Sequence, residues 1–142
     1  MLYRLIYSSI ANPRLRDSDL RSILRVSRRD NAAHQITGVL IFTGRGFAQF
    51  LEGPRSPIER LVNRIRVDRR NRDLQVLNTQ DCEERAFADW SMGWVRPKAS
   101  AGSWEGLRSA AQIRRTLTGD RAAGDVMVRA CLRLLDPLTI GS

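Results

Sequence analysis

The stretch FAQFLEG, residues Phe47–Gly53, decides the fold because it has the pattern of a strand with two apolar faces. Side chains alternate between the faces of a strand, so Phe47, Gln49 and Leu51 share one face and the two residues between them share the other. A strand that is apolar on both sides needs cover on both sides. The stretch therefore predicts a sheet with a layer of structure on each face.

The elements around this strand predict an α+β domain of ferredoxin-like order. Gly44–Gly46 is a tight turn, which makes residues 36–43 and 47–52 a hairpin. The other predicted elements are a strand Leu2–Ser8, a helix from Asp17 or Ser18 to about Ala32, a helix from the capping box of Ser56 and Glu59 to about Asp68, a strand Leu74–Thr79 and a short fifth strand within Phe87–Val95. The order β-α-β-β-α-β plus a fifth strand predicts an antiparallel or mixed sheet with two helices on one face.

The composition changes at the linker Pro97–Ser103. We therefore divide the chain into a domain of residues 1–96 and a tail of residues 97–142. Within the tail, Trp104–Leu117 and Asp120–Leu135 show apolar stripes at helical spacing. We expect these two C-terminal helices, or else a partner subunit, to cover the second face of the sheet.

Composition and charge exclude several classes of function. The 142 residues carry a net charge of +9, one histidine and two cysteines. Almost all basic residues are arginines spread along the chain, which favours a solvated surface over a nucleic-acid patch. Because His34 is the single histidine, a His-rich metal centre is excluded, and the two cysteines, Cys82 and Cys131, define no metal site. Nothing resembles a signal peptide or a membrane span, so we expect a cytoplasmic protein with no metal and no membrane contact.

Gln49 is the polar residue that does not fit its face. Its amide offers two donors and two acceptor lone pairs, and leaving them unpaired in a core costs about 1–3 kcal/mol. Tyr7 lies on the first strand, which neighbours the third strand in this topology, so the two side chains can meet on one face. Two interpretations stay open at this point: a glutamine bonded to the main chain, or a ligand in the core with hydrogen-bonding edges.

Other polar and aromatic residues also have a structural and a functional interpretation. Asn31 can end the first helix. Trp90 and Met92 alternate onto one face of the fifth strand, as core residues commonly do. The charged cluster from Asp68 to Asn71 is either solvated or placed to hold a phosphate at the mouth of a pocket between the two helices.

Taken in order, these residues resemble the BLUF family, the blue-light sensors that use flavin, from about Leu2 to Val95. The segments that carry the resemblance are Arg4–Ser9, Ser27-Arg28 with Asn31, Ile36–Leu40, Phe47–Gly53, Asp68–Arg70 and Phe87–Met92. The run QFLEG at residues 49–53 is the most specific of them. The resemblance implies that residues 1–96 form a flavin-binding sensor domain and not an enzyme, with FAD as the default cofactor and FMN as a possible one.

The resemblance also implies a role for each site residue. Tyr7 would give an electron and then a proton to the excited flavin, and Gln49 would rotate or tautomerise, which shifts the absorption band to the red. Trp90 and Met92 would report this change along strand five to the tail helices. The implied cofactor-binding residues are Tyr7, Ile23 against the ring, Ser27 near it, Asn31 at its polar edge, Gln49 near N5 and O4, and Arg64, Asp68 and Arg70 near the ribityl and phosphate part.

Two positions depart from the family pattern. Asp30 stands where the family often has a second Asn, and Asn71 stands where it often has a His. Both positions concern the periphery of the flavin.

The tail is too short for an enzymatic output, so we expect a homo-oligomer, dimeric or larger, and a separate downstream protein partner.

Two other classes of protein share this topology. A basic ferredoxin-like nucleic-acid-binding module would need stacking aromatics, such as Phe50, exposed on an open sheet face. A hydrolase of the acylphosphatase type would need a phosphate-cradling glycine loop, which the sequence does not show where that chemistry requires it.

Overall fold

The computed structural model describes residues 1–88 and 92–95. Its elements are β1 (Leu2–Ala11), α1 (Asp17–Ala33), β2 (Thr37–Phe42), β3 (Gly46–Gly53), α2 (Arg55–Arg66), β4 (Asn71–Cys82) and β5 (Gly93–Val95). The strands form one sheet in the order β4-β1-β3-β2-β5. β2 and β5 are parallel, and the other neighbouring pairs are antiparallel. The predicted ferredoxin-like α+β fold with a mixed sheet is confirmed.

Both helices pack on the same face of the sheet. α1 buries Leu20 and Leu24, and α2 buries an apolar stripe that includes Ile58. These side chains form one core cluster with residues of β1, β2 and β3, among them Leu5 and Leu51. The helices therefore form one wall of the space above Gln49, and the sheet forms the floor.

The opposite face of the sheet is buried as well. Ile6, Val39 and Phe50 are fully buried there. Phe87 contacts Phe50 edge to face, with ring centroids 5.3 Å apart at 76°. The prediction that both faces of FAQFLEG are covered is thus confirmed. The linker and the two C-terminal helices predicted as part of that cover lie outside the described residues.

The β2–β3 hairpin depends on a close backbone approach at Gly38. Its φ is +154°, and a Cβ at this position would lie 1.9 Å from the carbonyl oxygen of Phe50. No side chain fits there, since this space is taken by the main chain of the neighbouring strand. Glycine at this position lets β2 approach β3 closely, and Leu40 then lies opposite Gln49.

The helix starts differ from those predicted. Arg16 is the N-cap of α1, and its N–H donates to the Asp19 carboxylate at 2.9 Å. α2 begins at Arg55 after Pro54, so the capping box predicted at Ser56 is wrong. The reason lies in the preceding strand: it ends at Gly53, whose φ of +156° turns the chain before Ser56 is reached.

Other boundaries also moved. Asn31 does not end α1, which continues to Ala33, and the left-handed residue after it is Gln35 with φ 60°. β4 has 12 residues and exceeds the predicted Leu74–Thr79 at both ends, because it pairs with nearly all of β1. β5 begins at Gly93, so Met92 precedes the strand. The prediction that Met92 lies on the fifth strand is wrong. Trp90 lies outside the described residues.

Candidate functional site

Three side chains in register form the floor of the site. Tyr7 on β1 lies directly opposite Gln49 on β3, and Gln49 lies directly opposite Leu40 on β2. All three line one cavity of about 190 Å³ beneath the two helices. The adjacency of Tyr7 and Gln49 that strand order predicted is therefore present, in the middle of the sheet.

Both ends of the Gln49 amide are hydrogen-bonded. The Tyr7 hydroxyl donates to Gln49 Oε1 at 2.6 Å, and Gln49 Nε2 donates to the Met92 sulfur at 3.3 Å. Tyr7 and Gln49 are only 3% and 4% exposed, so water does not compete for these bonds. Exchanging the two ends of the amide would reverse the contact with Tyr7, because a hydroxyl can donate or accept, and would break the contact with Met92, because a thioether sulfur has no proton to donate to Oε1.

The walls of the cavity come from matching positions on the two helices. α1 contributes residues 23, 26, 27 and 30, and α2 contributes residues 61, 64 and 65, with Asp68 just after its end. Residues spaced by three and four positions lie on one face of a helix, so each helix presents a single face to the cavity. Ile23 and Val26 on one side and Leu61 and Ile65 on the other give two apolar walls. A flat, largely apolar ring suits the space between them.

The far end of the cavity is charged. Arg70 donates to the Asp68 carboxylate from Nη2 at 2.6 Å, from Nε at 3.0 and 3.2 Å, and from its main-chain N–H at 3.0 Å. The hydrogen bonds from Arg70 hold the pKa of Asp68 below its usual range. Arg64 also lines the cavity, and its guanidinium lies 3.9 Å from the Asp30 carboxylate across the gap between α1 and α2. This end suits the polar tail of a ligand.

Asn31 lies beside this cavity and not in its lining. It lines a neighbouring cavity of about 400 Å³, and Asp30 and Arg64 lie at the boundary of the two. Asn31 is 1% exposed, yet its Nδ2 has no hydrogen-bond partner among the residues that the structure describes. A buried donor without a partner is costly, and a ligand carbonyl or ring nitrogen could accept from it.

The predicted site residues can now be placed. Seven of the eight predicted cofactor-binding residues line the cavity above Gln49: Tyr7, Ile23, Ser27, Gln49, Arg64, Asp68 and Arg70. The eighth, Asn31, lines the adjoining one. Sequence reasoning missed Val26, Leu40, Phe47, Leu61 and Ile65 as lining residues. The helical spacing that they share with Ile23 and Arg64 could have found those on α1 and α2.

The two departures from the family pattern occupy defined places. Asp30 lines the cavity and pairs with Arg64. Asn71 donates from Nδ2 to the carbonyls of Ile65 and Asp68, both at 2.8 Å, and so caps the end of α2. Its Oδ1 is buried and has no partner within residues 1–88 and 92–95. These residues fit a flavin: the apolar walls suit its ring, and the unpartnered Asn31 donor suits its polar edge.

Burial protects the proton of Tyr7. Removal from water raises the pKa of its hydroxyl well above the ordinary value of 10.0, and the negative charge of Asp68 raises it further. The hydroxyl therefore stays protonated, as the hydrogen-bond donor to Gln49, at pH values where an ordinary tyrosine begins to ionise. A tyrosine held in this way can give up its proton only when something else makes it more acidic.

A Tyr3→Phe variant should show no tyrosinate in the folded protein even at about pH 11, where a tyrosine of ordinary pKa is mostly ionised. Tyr7 is the remaining tyrosine of that variant. Because Tyr7 ionises in the unfolded chain and not in the native one, the free energy of unfolding should fall as the pH rises above about 10. An ultraviolet titration followed in parallel by circular dichroism measures this. A tyrosinate band that forms near pH 10 in a protein of native circular dichroism would contradict the burial of Tyr7.

Three expectations concern features that were predicted to be absent: a metal site, a membrane-spanning helix and an exposed stacking aromatic. Within residues 1–88 and 92–95, no cluster of three or more metal-ligating side chains occurs. No helix in that part of the chain is long and apolar enough to cross a membrane. Phe50, the stacking residue that a nucleic-acid-binding sheet would need, is fully buried beneath Phe87. Phe50 therefore cannot serve as the exposed stacking aromatic that the nucleic-acid-binding alternative requires.

Comparison with known proteins shows which family has this fold and cavity. The model of the BLUF family, described as sensors of blue-light using FAD, matches residues 2–93. The photoactivated adenylate cyclase subunit beta of Euglena longa is 36% identical over 92 residues, which are 64% of this chain and 11% of that protein. The subunit alpha of Euglena gracilis is 34% identical over 86 residues. The chain thus spans only a small part of the length of these curated relatives.

Solved structures agree with the sequence comparison. The BLUF protein BlrB in its dark state is 30% identical, has a TM-score of 0.67 and is matched over 94% of both chains. The BLUF domain of BlrP1 is 27% identical, has a TM-score of 0.78, and is matched over 96% of this chain and 90% of that one. The fold and the site define a small α+β sensor domain with a flavin-type cavity between its helices. The chain belongs to the BLUF family.

Proposed function

We propose that this chain binds a flavin between α1 and α2 and senses blue light through the hydrogen bonds of Gln49. The observation that carries the proposal is the buried chain from Tyr7 through Gln49 to the Met92 sulfur, at 2.6 and 3.3 Å, on the floor of the cavity. The flavin supplies the absorption of blue light and accepts an electron and a proton. The protein supplies the rest, and each step below belongs to one of its own groups.

Tyr7 is the electron and proton donor in this proposal. Loss of an electron makes a phenol hydroxyl strongly acidic, which overcomes the raised pKa that burial imposes on it. The proton then has an acceptor at 2.6 Å, the Oε1 of Gln49, and the protonated amide would release a proton from Nε2 to the cofactor and so return to neutrality. At so short a separation the transfer requires no movement of the backbone.

Gln49 is the part that switches. When the electron and the proton return, the amide is left rotated or as its tautomer, and the donor and acceptor ends that face Tyr7 and Met92 differ from those of the dark state. The bond from Nε2 to the Met92 sulfur is then lost or replaced. A change of local hydrogen bonding that biases a nearby segment is the usual form of such a switch.

Trp90 and Met92 carry the signal onward in this proposal, towards β5, residues 97–142 and the C-terminal helices predicted there. The photoactivated cyclases among the relatives contain the matching segment within much longer chains. We therefore propose that this domain acts on a second copy of itself, on a separate downstream protein, or on both. The proposal assigns no catalytic residue to this domain.

The cofactor assignment is FAD, with FMN as the second candidate. The family description names FAD, and one solved structure of BlrP1 from Klebsiella pneumoniae is described with FMN. Arg64, Asp68 and Arg70 would hold the ribityl and phosphate part common to both, Ile23 and Ser27 would border the ring, and Asn31 would donate to its polar edge.

An absorption spectrum of the purified protein tests the proposal. We expect bound flavin and a small red shift after blue light that reverses in the dark. Chromatography of the flavin released on denaturation distinguishes FAD from FMN. A colourless protein that takes up neither flavin on reconstitution would overturn the proposal, as would a bound flavin whose spectrum does not respond to light.

A further inference from the structure

A carboxylate with no place in the photochemistry is buried three residues after Gln49. Glu52, near the end of β3, is 0% exposed, and its side chain points away from the cavity, to the opposite face of the sheet. Burial raises the pKa of this carboxyl, while main-chain N–H groups and the Arg4 guanidinium act to lower it. A buried carboxylate is expensive unless it is fully bonded, so its contacts show what it holds.

Glu52 holds the segment that leads from β4 to β5. The N–H of Ala86 donates to Oε2 at 2.8 Å, and the N–H of Phe87 donates to Oε1. From the sheet, the Thr37 hydroxyl donates to Oε1 at 3.3 Å, and the Arg4 Nε lies 3.5 Å from Oε2. One side chain therefore binds two consecutive main-chain amides to the centre of the sheet.

Two arginines reinforce the same attachment. Arg85 donates to the Gln35 carbonyl at 2.7 Å, to the Thr37 hydroxyl at 2.8 Å and to the Glu52 carbonyl at 3.1 Å. Arg4 donates from Nη2 to the Glu84 carbonyl at 2.7 Å. Residues 84–87 are thus attached to β1, to β3 and to the start of β2.

β3 consequently holds this part of the chain at two points of different character. Glu52 binds residues 86 and 87 on one side of the sheet, and Gln49 binds Met92 on the other. Only four residues lie between Phe87 and Met92 in the sequence. The first attachment uses a carboxylate and main-chain amides, which light does not alter. The second uses the amide that switches in the proposed function.

We propose that Glu52 is a positioning residue that fixes residues 86 and 87 to β3, so that a change in the Gln49–Met92 hydrogen bond is transmitted towards β5. This inference rests on the proposed function. A segment attached at one end passes on a displacement of its other end, whereas a segment free at both ends absorbs it. Glu52 acts through Met92 and does not touch the cavity.

The test compares Glu52→Gln with Glu59→Gln in the flavin-loaded protein. Glutamine keeps the size of the side chain but offers one acceptor oxygen, so its NH₂ end faces a main-chain N–H and one of the two amides loses its partner. Glu59 is an exposed carboxylate on α2 and serves as the matched control. Amide hydrogen exchange over residues 84–95 is measured in the dark and under blue light, together with the absorption shift.

In Glu52→Gln we expect the red shift of the wild type and dark exchange at residues 86 and 87 faster by about tenfold or more, as loss of a hydrogen bond to a charged group predicts. We also expect the light-induced change in exchange over residues 88–95 to disappear. Glu59→Gln should match the wild type in every readout. A mutant that keeps the light-induced change would overturn the positioning role, and so would one that binds flavin but loses the red shift.

A second variant keeps the inference testable if Glu52→Gln does not fold. Arg85→Gln removes the outer attachment and leaves the Glu52 carboxylate in place, and it should reduce the light-induced exchange difference without changing the red shift. An unchanged difference in this variant would count against the inference. If the wild type itself shows no red shift, the proposed function fails, and that result is distinct from a failure of Glu52 alone.

Discussion

Replacing Tyr7 with Phe should leave the flavin bound and abolish the light-induced red shift. The substitution removes one oxygen atom from a side chain that is 3% exposed, so the ring keeps its packing against the cavity floor. It also removes the donor of the 2.6 Å bond to Gln49 Oε1 and the only proton that this residue could pass on. Gln49 then receives no proton from residue 7, so its amide keeps the dark-state orientation.

Tyr3→Phe is the matched control. Tyr3 lies four residues earlier on the same face of β1 and is 8% exposed, and the Arg55 guanidinium lies 5.0 Å above its ring. It belongs to the same core cluster but not to the lining of the cavity. This variant should keep the complete photocycle. Absorption spectra before and after illumination decide the matter, and a normal red shift in Tyr7→Phe would refute the role of Tyr7.

Replacing Gln49 with Leu should also abolish the red shift, and it should destabilise the protein as well. Leucine has a similar volume but cannot accept from Tyr7 or donate to the Met92 sulfur. The Tyr7 hydroxyl then stays buried without an acceptor, which costs about 1–3 kcal/mol of unfolding free energy. Burial of the leucine methyl groups offsets part of this cost.

The origin of that cost can be separated by a second substitution. In the double variant Tyr7→Phe with Gln49→Leu, no polar group is left without a partner, so the loss of stability should be smaller than the sum of the two single losses. Gln75→Leu, an exposed glutamine on β4 opposite Ser8, is the control for the loss of an amide. Denaturant titration of the wild type, the two single variants and the double variant measures the coupling, and Gln75→Leu is titrated beside them. Strict additivity would indicate that the 2.6 Å bond contributes little to the fold.

Much of the site could be read from the sequence because it rests on short periodicities. The alternation of FAQFLEG places Gln49 and Leu51 on one face, and strand order makes β1 the neighbour of β3. Helical spacing gives the apolar stripe of α2. The family resemblance then supplied further cavity residues, among them Ser27 and Arg64. These inferences needed no knowledge of the contacts between distant segments.

The errors lie where a distant part of the chain makes the decision. The capping box at Ser56 was a sound local pattern, yet the left-handed turn at Gly53, against the main chain of residues 35 and 36, starts α2 earlier. β4 was predicted too short because its ends carry no strong pattern of their own, and pairing with β1 extends them. Met92 was assigned to a strand that begins one residue later.

The sequence by itself determined that a glutamine would lie in an apolar core row with a tyrosine within reach, since alternation and strand order are local properties of the chain. Only the tertiary structure decided what each end of that glutamine binds, because Met92 lies 43 residues away. The tertiary structure also decided that Glu52 is buried. The sequence pattern shows only an acid near the end of a strand, where acids are usually solvated. In the folded chain, residues 84–87 lie over Glu52, and the main-chain N–H groups of Ala86 and Phe87 donate to its carboxylate.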